Sequence, residues 1–200
     1  KYTPIDEKHI LQAQSPYAAS KIAADHLIES YYKTYKVPAV ILRPFNTYGP
    51  RQSERAVISS AIRQILDPRC DEIHLGSTKP KRDFNYVSDT VSAFILAGVN
   101  SGFDYGVPHN IGTGTSISIS EMIECLLKLT GSKKAIKTDE DRFRPEKSEV
   151  FELIASTDRF KQIVNWKPKI KLEDGLKLTI DWWKNQIKDK KVRAYSSYSF

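Results

Sequence analysis

Four successive apolar residues, Ala39-Val40-Ile41-Leu42, lie between Pro38 and the pair Arg43-Pro44, and this short run constrains the chain more than any other feature. A segment apolar at every position has no face to offer water. It reads as a strand covered on both sides, as in a parallel sheet. The segment before it has a different period. Ser15-Pro16 is a helix start, with Ser as N-cap and Pro at the first helical position. From residue 17 to about 36 the residues Ala19, Ile22, Ala23, His26, Leu27 and Ser30 or Tyr31 recur at helical spacing. Val37-Pro38 ends that helix. Helix followed by buried strand is the second half of a βαβ unit.

The same alternation continues downstream. Helices are expected over residues 56–66, from Ser88-Asp89 to about 99, over 119–129 with a stop at Gly131, over 156–163 and over 172–187. Strands are expected at 71–76 and 84–87, and a further one closes at Asn110-Ile111-Gly112. The stretch to about Gln14 is irregular and polar, and there is no internal repeat. Strands alternating with helices place the chain in the α/β class.

Composition narrows the setting. With 3 Trp, 10 Tyr and 8 Phe among 200 residues the chain is packed and not disordered, and it is long enough for one domain or one and a half smaller ones. No apolar run approaches the roughly 18 residues that span a bilayer, so no membrane partner is expected. The first residues contain neither a signal-type apolar stretch nor an initiating Met, and read as a chain entered partway. Cys70 and Cys125 fit no ligand or redox spacing, and no Asn-x-Ser/Thr sequon occurs, which makes a reducing, cytoplasmic setting the default. The four histidines, His9, His26, His74 and His109, share no metal spacing, and no metal is expected. The formal charge of +7 is scattered, its densest run being Lys188-Asp189-Lys190-Lys191-Val192-Arg193, a solvated tail. A positive field suits phosphate-bearing small substrates. Nucleic acid is not expected as a partner, since no aromatic-rich basic strand of the RNA-recognition type is present.

The chemistry-bearing pair is Tyr17 and Lys21, four residues apart at the start of the first helix and therefore on one face. A phenol is a poor base at neutral pH, but a neighbouring ammonium and the positive end of a helix both favour its phenolate. Such a phenolate can take a proton from a sugar hydroxyl while hydride leaves the same carbon. Spacing alone is weak, because Tyr32 and Lys36 repeat it on the same helix. Context separates them. Only Ala18-Ala19-Ser20 stand between Tyr17 and Lys21, leaving room for a bulky ligand, whereas Tyr32 and Lys36 read as a half-exposed aromatic beside a solvated lysine.

Ser15-Pro16-Tyr17-Ala18-Ala19-Ser20-Lys21, followed by Leu42-Arg43-Pro44-Phe45-Asn46-Thr47-Tyr48-Gly49-Pro50-Arg51-Gln52, resembles the NAD-dependent epimerase/dehydratase family, the extended short-chain dehydrogenase/reductases. The likeness continues through Arg82-Asp83-Phe84-Asn85-Tyr86-Val87-Ser88-Asp89, Asn110-Ile111-Gly112-Thr113-Gly114, Arg142-Phe143-Arg144-Pro145-Glu146-Lys147-Ser148-Glu149-Val150 and Asn165-Trp166-Lys167-Pro168. Within the family, the stretch Arg144-Pro145-Glu146-Lys147-Ser148-Glu149-Val150, with Gly76-Ser77-Thr78 lacking the usual second Gly, is most similar to the UDP-N-acetylglucosamine 4,6-dehydratases of legionaminic-type sugar synthesis.

That resemblance implies the C-terminal part of a Rossmann-type fold plus a small α/β substrate-binding domain. Residues 1–50 would belong to the NAD-binding domain, 51–187 mainly to the nucleotide-sugar-binding region, and 188–200 to a basic tail. It implies NAD as cofactor, with Tyr17 and Lys21 catalytic and also beside the nicotinamide ribose, and Pro44 and Phe45 beside the nicotinamide. It implies a UDP-linked sugar as substrate, held by Asn46, Arg51, Arg82 and Arg144, guanidinium forks being suited to a diphosphate. Asp89 reads as the N-terminal anchor of its helix. Gly112-Thr113-Gly114 is a decoy, because Ile117 occupies the place of the third glycine of a dinucleotide fingerprint.

In the family that fingerprint, the substrate-orienting Ser/Thr and the carboxylates for water elimination precede the Tyr-Lys pair by a distance that puts them before residue 1. The chain alone is therefore expected to have little or no activity. The complete enzyme is expected to be a 4,6-dehydratase, with a nucleotide-sugar 4-epimerase as the alternative. A non-catalytic RNA- or nucleotide-binding module is the alternative of another class. The resemblance also implies a homodimer through the Tyr-Lys helix.

Overall fold

The computed structural model describes residues 1–139, 141, 150–189 and 191. The chain divides into two compact units, one comprising Lys1–Thr47, Lys81–Ser116 and Arg144–Lys169, the other Tyr48–Pro80, Ile117–Phe143 and Ile170–Phe200.

The first unit opens on helix α1 (Pro16–Tyr35), which begins as the sequence requires. The Ser15 side chain accepts from the Ala18 N–H at 3.1 Å, and Pro16 occupies the first turn. The helix ends where Lys36 turns left-handed at φ 57°. Strand β1 (Ile41–Pro44) follows and pairs in parallel with β6 (Pro108–Ile111), in a register that sets Ile41 against Pro108 and Pro44 against Ile111. The apolar run thus enters the strand two residues late. Ile41 is buried, but Leu42 and Arg43 are only half-buried and Pro44 is exposed, because β6 is the one strand paired with β1 among the described residues. Strand β2 (Asn46–Tyr48) pairs with β5 (Phe84–Tyr86), and β4 (Lys81–Arg82) pairs in parallel with β9 (Glu152–Leu153).

Helix α3 (Val87–Val99) follows β5 without a break and is capped at Tyr86, not at Asp89. Asp89 lies within the first turn, and its carboxylate accepts the Lys169 N–H at 3.1 Å. It ties the helix to a distant segment. The core of this unit gathers Ala93, Ala97, Phe103, Ile111, Phe160 and Trp166, with helix α5 (Asp158–Val164) supplying Phe160. Phe160 and Trp166 meet edge-on with ring centroids 5.7 Å apart, and the Trp166 indole donates to Ser92 at 2.9 Å.

The second unit is built from α2 (Val57–Leu66), β3 (Glu72–Leu75), β7 (Ile117–Ser118), α4 (Ile119–Thr130), β8 (Ala135–Thr138) and α6 (Leu172–Lys188). Strands β3 and β8 pair in parallel. A reciprocal capping box between Ser118 and Glu121 starts α4, and Gly131 at φ 68° ends it. The buried Gln64 of α2 behaves like a piece of strand. Its amide accepts the His74 N–H at 2.8 Å and donates to the His74 carbonyl at 3.1 Å. Fold class is as the alternation indicated: α/β, with parallel strand pairs between helices.

Candidate active site

Tyr17 and Lys21 project from the first turns of α1, with the Lys21 Nζ 5.6 Å from the centroid of the Tyr17 ring. The phenol is 72% exposed. No acidic residue stands in the first turn, so the surroundings of the ring are positive, from the Lys21 ammonium and the helix dipole. The duplicate pair has nearly the same internal geometry, Lys36 Nζ lying 5.3 Å from the Tyr32 centroid. Its environment differs. Tyr32 is half-buried and meets the Tyr105 ring at 6.1 Å, and a Cβ at Gly106 would come within 2.8 Å of it. Tyr32 is therefore a packing residue, and exposure distinguishes the two pairs where spacing does not.

The remaining candidates sort by unit. Pro44 ends β1, and the Phe45 N–H continues the ladder to the Ile111 carbonyl at 2.8 Å. Asn46 opens β2 and sits in a strand, not in the turn its residue type also permits. Its backbone N–H and its side-chain Nδ2 both donate to the Asp83 carbonyl, at 3.1 and 3.3 Å. Arg82, the residue before Asp83, is half-buried and donates through Nη1 to the carbonyls of Lys81 and Val150 at 2.9 and 2.7 Å. Pro44, Phe45, Asn46 and Arg82 thus gather on one stretch of the first unit. Arg51 belongs to the second unit, where it is exposed with a left-handed backbone at φ 66°. Arg144 lies outside the described residues.

Asp83, in the sequence only one letter of a motif, is fully buried. One carboxylate oxygen accepts the Thr113 N–H at 2.8 Å and the Thr113 hydroxyl at 2.7 Å, and the other accepts the N–H groups of Gly114 at 3.0 Å and Ala155 at 3.1 Å. The glycine pair that fails as a dinucleotide fingerprint serves this carboxylate. A Cβ at Gly112 would stand 2.8 Å from Asp83 Oδ2 and 2.6 Å from Ala155 Cβ, and Gly114 takes φ 75° to present its N–H. Nothing local in the sequence marks its burial, because its donors lie far along the chain, and a buried carboxylate needs them.

Among the described residues, no group of three or more His, Cys, Asp or Glu is placed to hold a metal ion, and no helix is long and apolar enough to cross a membrane.

The profile of the family GDP-mannose 4,6 dehydratase matches residues 1–179. The chain belongs to that family. It is 32% identical over 185 residues to the dTDP-D-glucose 4,6-dehydratase of Mus musculus, a match that covers 91% of the chain and 51% of the mouse protein. It is also 32% identical over 187 residues to a putative UDP-glucose 4-epimerase of Methanocaldococcus jannaschii, covering 92% of the chain and 58% of that protein. Among solved structures, the UDP-glucuronic acid 4-epimerase of Bacillus cereus, in complex with UDP-glucuronic acid and NAD, superposes with a TM-score of 0.84. There the identity is 27%, over 92% of this chain and 57% of that one. The epimerase/dehydratase resemblance and its Rossmann-type fold are thereby established. The chain spans about half the length of the curated relatives it matches.

Proposed function

We propose that this chain carries the acid/base pair and the nucleotide-sugar grip of an NAD-dependent 4,6-dehydratase, and that the complete enzyme acts on a UDP-linked sugar of the UDP-N-acetylglucosamine type. The observation that carries the reading is the Tyr17–Lys21 pair, stacked within 5.6 Å at a capped helix start and open to solvent. In the reaction, the Tyr17 oxygen acts as the base toward the C4 hydroxyl, with the Lys21 ammonium beside the ring. Arg82, with Arg144, pairs with the diphosphate, and Asn46 with the oxygens between nucleotide and sugar. The exposed surface at Ala19 and Ser20 fits the approach of a nicotinamide ribose, with Lys21 as its hydrogen-bond donor and Pro44 and Phe45 beside the ring. A bound NAD would supply hydride uptake from C4 and its return to C6 once water is lost across C5 and C6, which gives a 4-keto-6-deoxy sugar.

A 4-epimerase is the second reading, favoured by the similarity to the Methanocaldococcus and Bacillus epimerases. Mass spectrometry separates the two when the chain is joined to an N-terminal NAD-binding half. Product lighter by one water supports the dehydratase, and product of unchanged mass supports the epimerase. Tyr17→Phe should lower kcat by about 10²-fold or more in either case. A smaller loss would remove Tyr17 from the chemistry. The 200-residue chain alone should bind uridine diphosphate without turning over the sugar, and Arg82→Ala should abolish that binding.

A further inference from the structure

We propose that Asp83 is a positioning residue for the nucleotide-sugar site, a carboxylate that fixes Asn46 and Arg82 by holding three otherwise separate segments in register; this rests on the reading of Asn46 and Arg82 as substrate contacts. Four neutral donors converge on the buried carboxylate, from Thr113, Gly114 and Ala155. Four donors need acceptor lone pairs on both oxygens. An amide would turn an NH₂ group toward two of them, so Asn cannot replace Asp here without leaving donors facing donors.

The backbone of the same residue carries the connection to the site. The Asp83 N–H donates to the Leu153 carbonyl at 2.8 Å, and its own carbonyl takes both hydrogen bonds of Asn46. The Asn46 amide plane is therefore set by Asp83, and Arg82 is the preceding residue on the same held strand. Gly112 keeps the pocket for the carboxylate open, since any side chain there would strike Asp83 and Ala155. The segments involved come from β2, the end of β6 and the end of β9. The carboxylate ties the turn at Gly112–Gly114 to the residue before which Arg82 stands.

The test measures uridine diphosphate binding to the 200-residue chain by calorimetry, beside thermal melting and the ¹H–¹⁵N signals of the Asn46 side-chain amide. Asp83→Asn should weaken binding by about tenfold, a loss of about 1.4 kcal/mol. The Asn46 amide signals should move while the variant is still fully folded at the temperature of measurement. Thr113→Val removes one donor and leaves the carboxylate in place, so it should fold even if Asp83→Asn does not, and it should weaken binding about threefold with a smaller shift of the Asn46 signals. Unchanged binding in a folded variant, with or without a lowered melting temperature, would overturn the positioning role and leave the substrate reading intact. No binding of uridine diphosphate by the native chain would overturn both.

Discussion

Helices α1 and α2 divide their labour in opposite ways. The twenty residues of α1 include none that is buried, while eight of the ten in α2 are, among them Ser59, Ser60, Arg63 and Gln64. The polar residues of α2 are satisfied where they lie: Gln64 on the β3 backbone, Arg63 on Glu54 at 2.6 Å with its guanidinium 5.6 Å from the Trp183 ring. The helix proposed to carry the acid/base pair is thus bare, and α2 is fastened on nearly every side. A reactive pair must leave space for what it reacts with, so packing energy has to come from elsewhere in the chain.

The largest effect expected from this contrast is in the cores. Ile62→Ala, at a fully buried position of α2, should cost about 3 kcal/mol in denaturant unfolding, whereas Leu27→Ala on the exposed face of α1 should cost under about 0.5 kcal/mol. A Leu27 cost as large as that of Ile62 would mean that α1 is covered in solution by a second copy, and the loss would then depend on protein concentration.

Acid should separate the two units next. His109 of β6 is fully buried against Phe103 and Phe160, and neither ring nitrogen finds a well-placed hydrogen-bond partner. Burial, and secondly the charge of Arg159, push its pKa below the ordinary 6.5, with Glu7 opposing. The unfolded chain then binds the proton first. Stability of the first unit is complete above pH 6.5 and falls as pH drops below it, by at most about 1.4 kcal/mol per pH unit. His109→Phe should flatten that slope in melts followed between about pH 7 and 5. A slope that survives the substitution would assign it to another group.

How much of this was legible in the sequence depends on how local the cause is. Helix α1 was readable because Ser15-Pro16 and Val37-Pro38 bracket it, and α4 because its apolar residues are periodic and Gly131 stops it. Strands β2, β4 and β9 are two or three residues long and exist through pairing with distant segments, so no periodicity could show them. Strand β8 is exposed at all four positions and is fixed by β3 alone among the described strands. The Tyr17–Lys21 pair was legible for the same reason as α1. Asp83 was not, since its donors lie far along the chain and an aspartate beside an arginine ordinarily reads as surface charge.

Two smaller effects sharpen the contrast at the helix ends. Lys134 closes α2 by donating to the carbonyls of Gln64 and Asp67 at 2.7 and 2.6 Å, and Lys134→Met should cost about 1 kcal/mol. Lys33 makes an i,i+4 pair with Glu29 on the open face of α1, and Lys33→Ala should change unfolding by about 0.3 kcal/mol. If the two losses were equal, the end of α1 would be held as firmly as that of α2.

Among the described residues, an ion pair reaches from α1 to the sheet: Asp25 accepts from the Arg43 guanidinium of β1 at 2.6 Å, with both side chains about three-quarters shielded. Tyr32 packs on Tyr105 near one end of the helix, and the clasp at Asp25 adds a second fixed point that sets its rotation about the long axis. Asp25 follows Lys21 by one turn and Tyr17 by two, so the heading of the phenol is dialled in from the strand, two turns downstream.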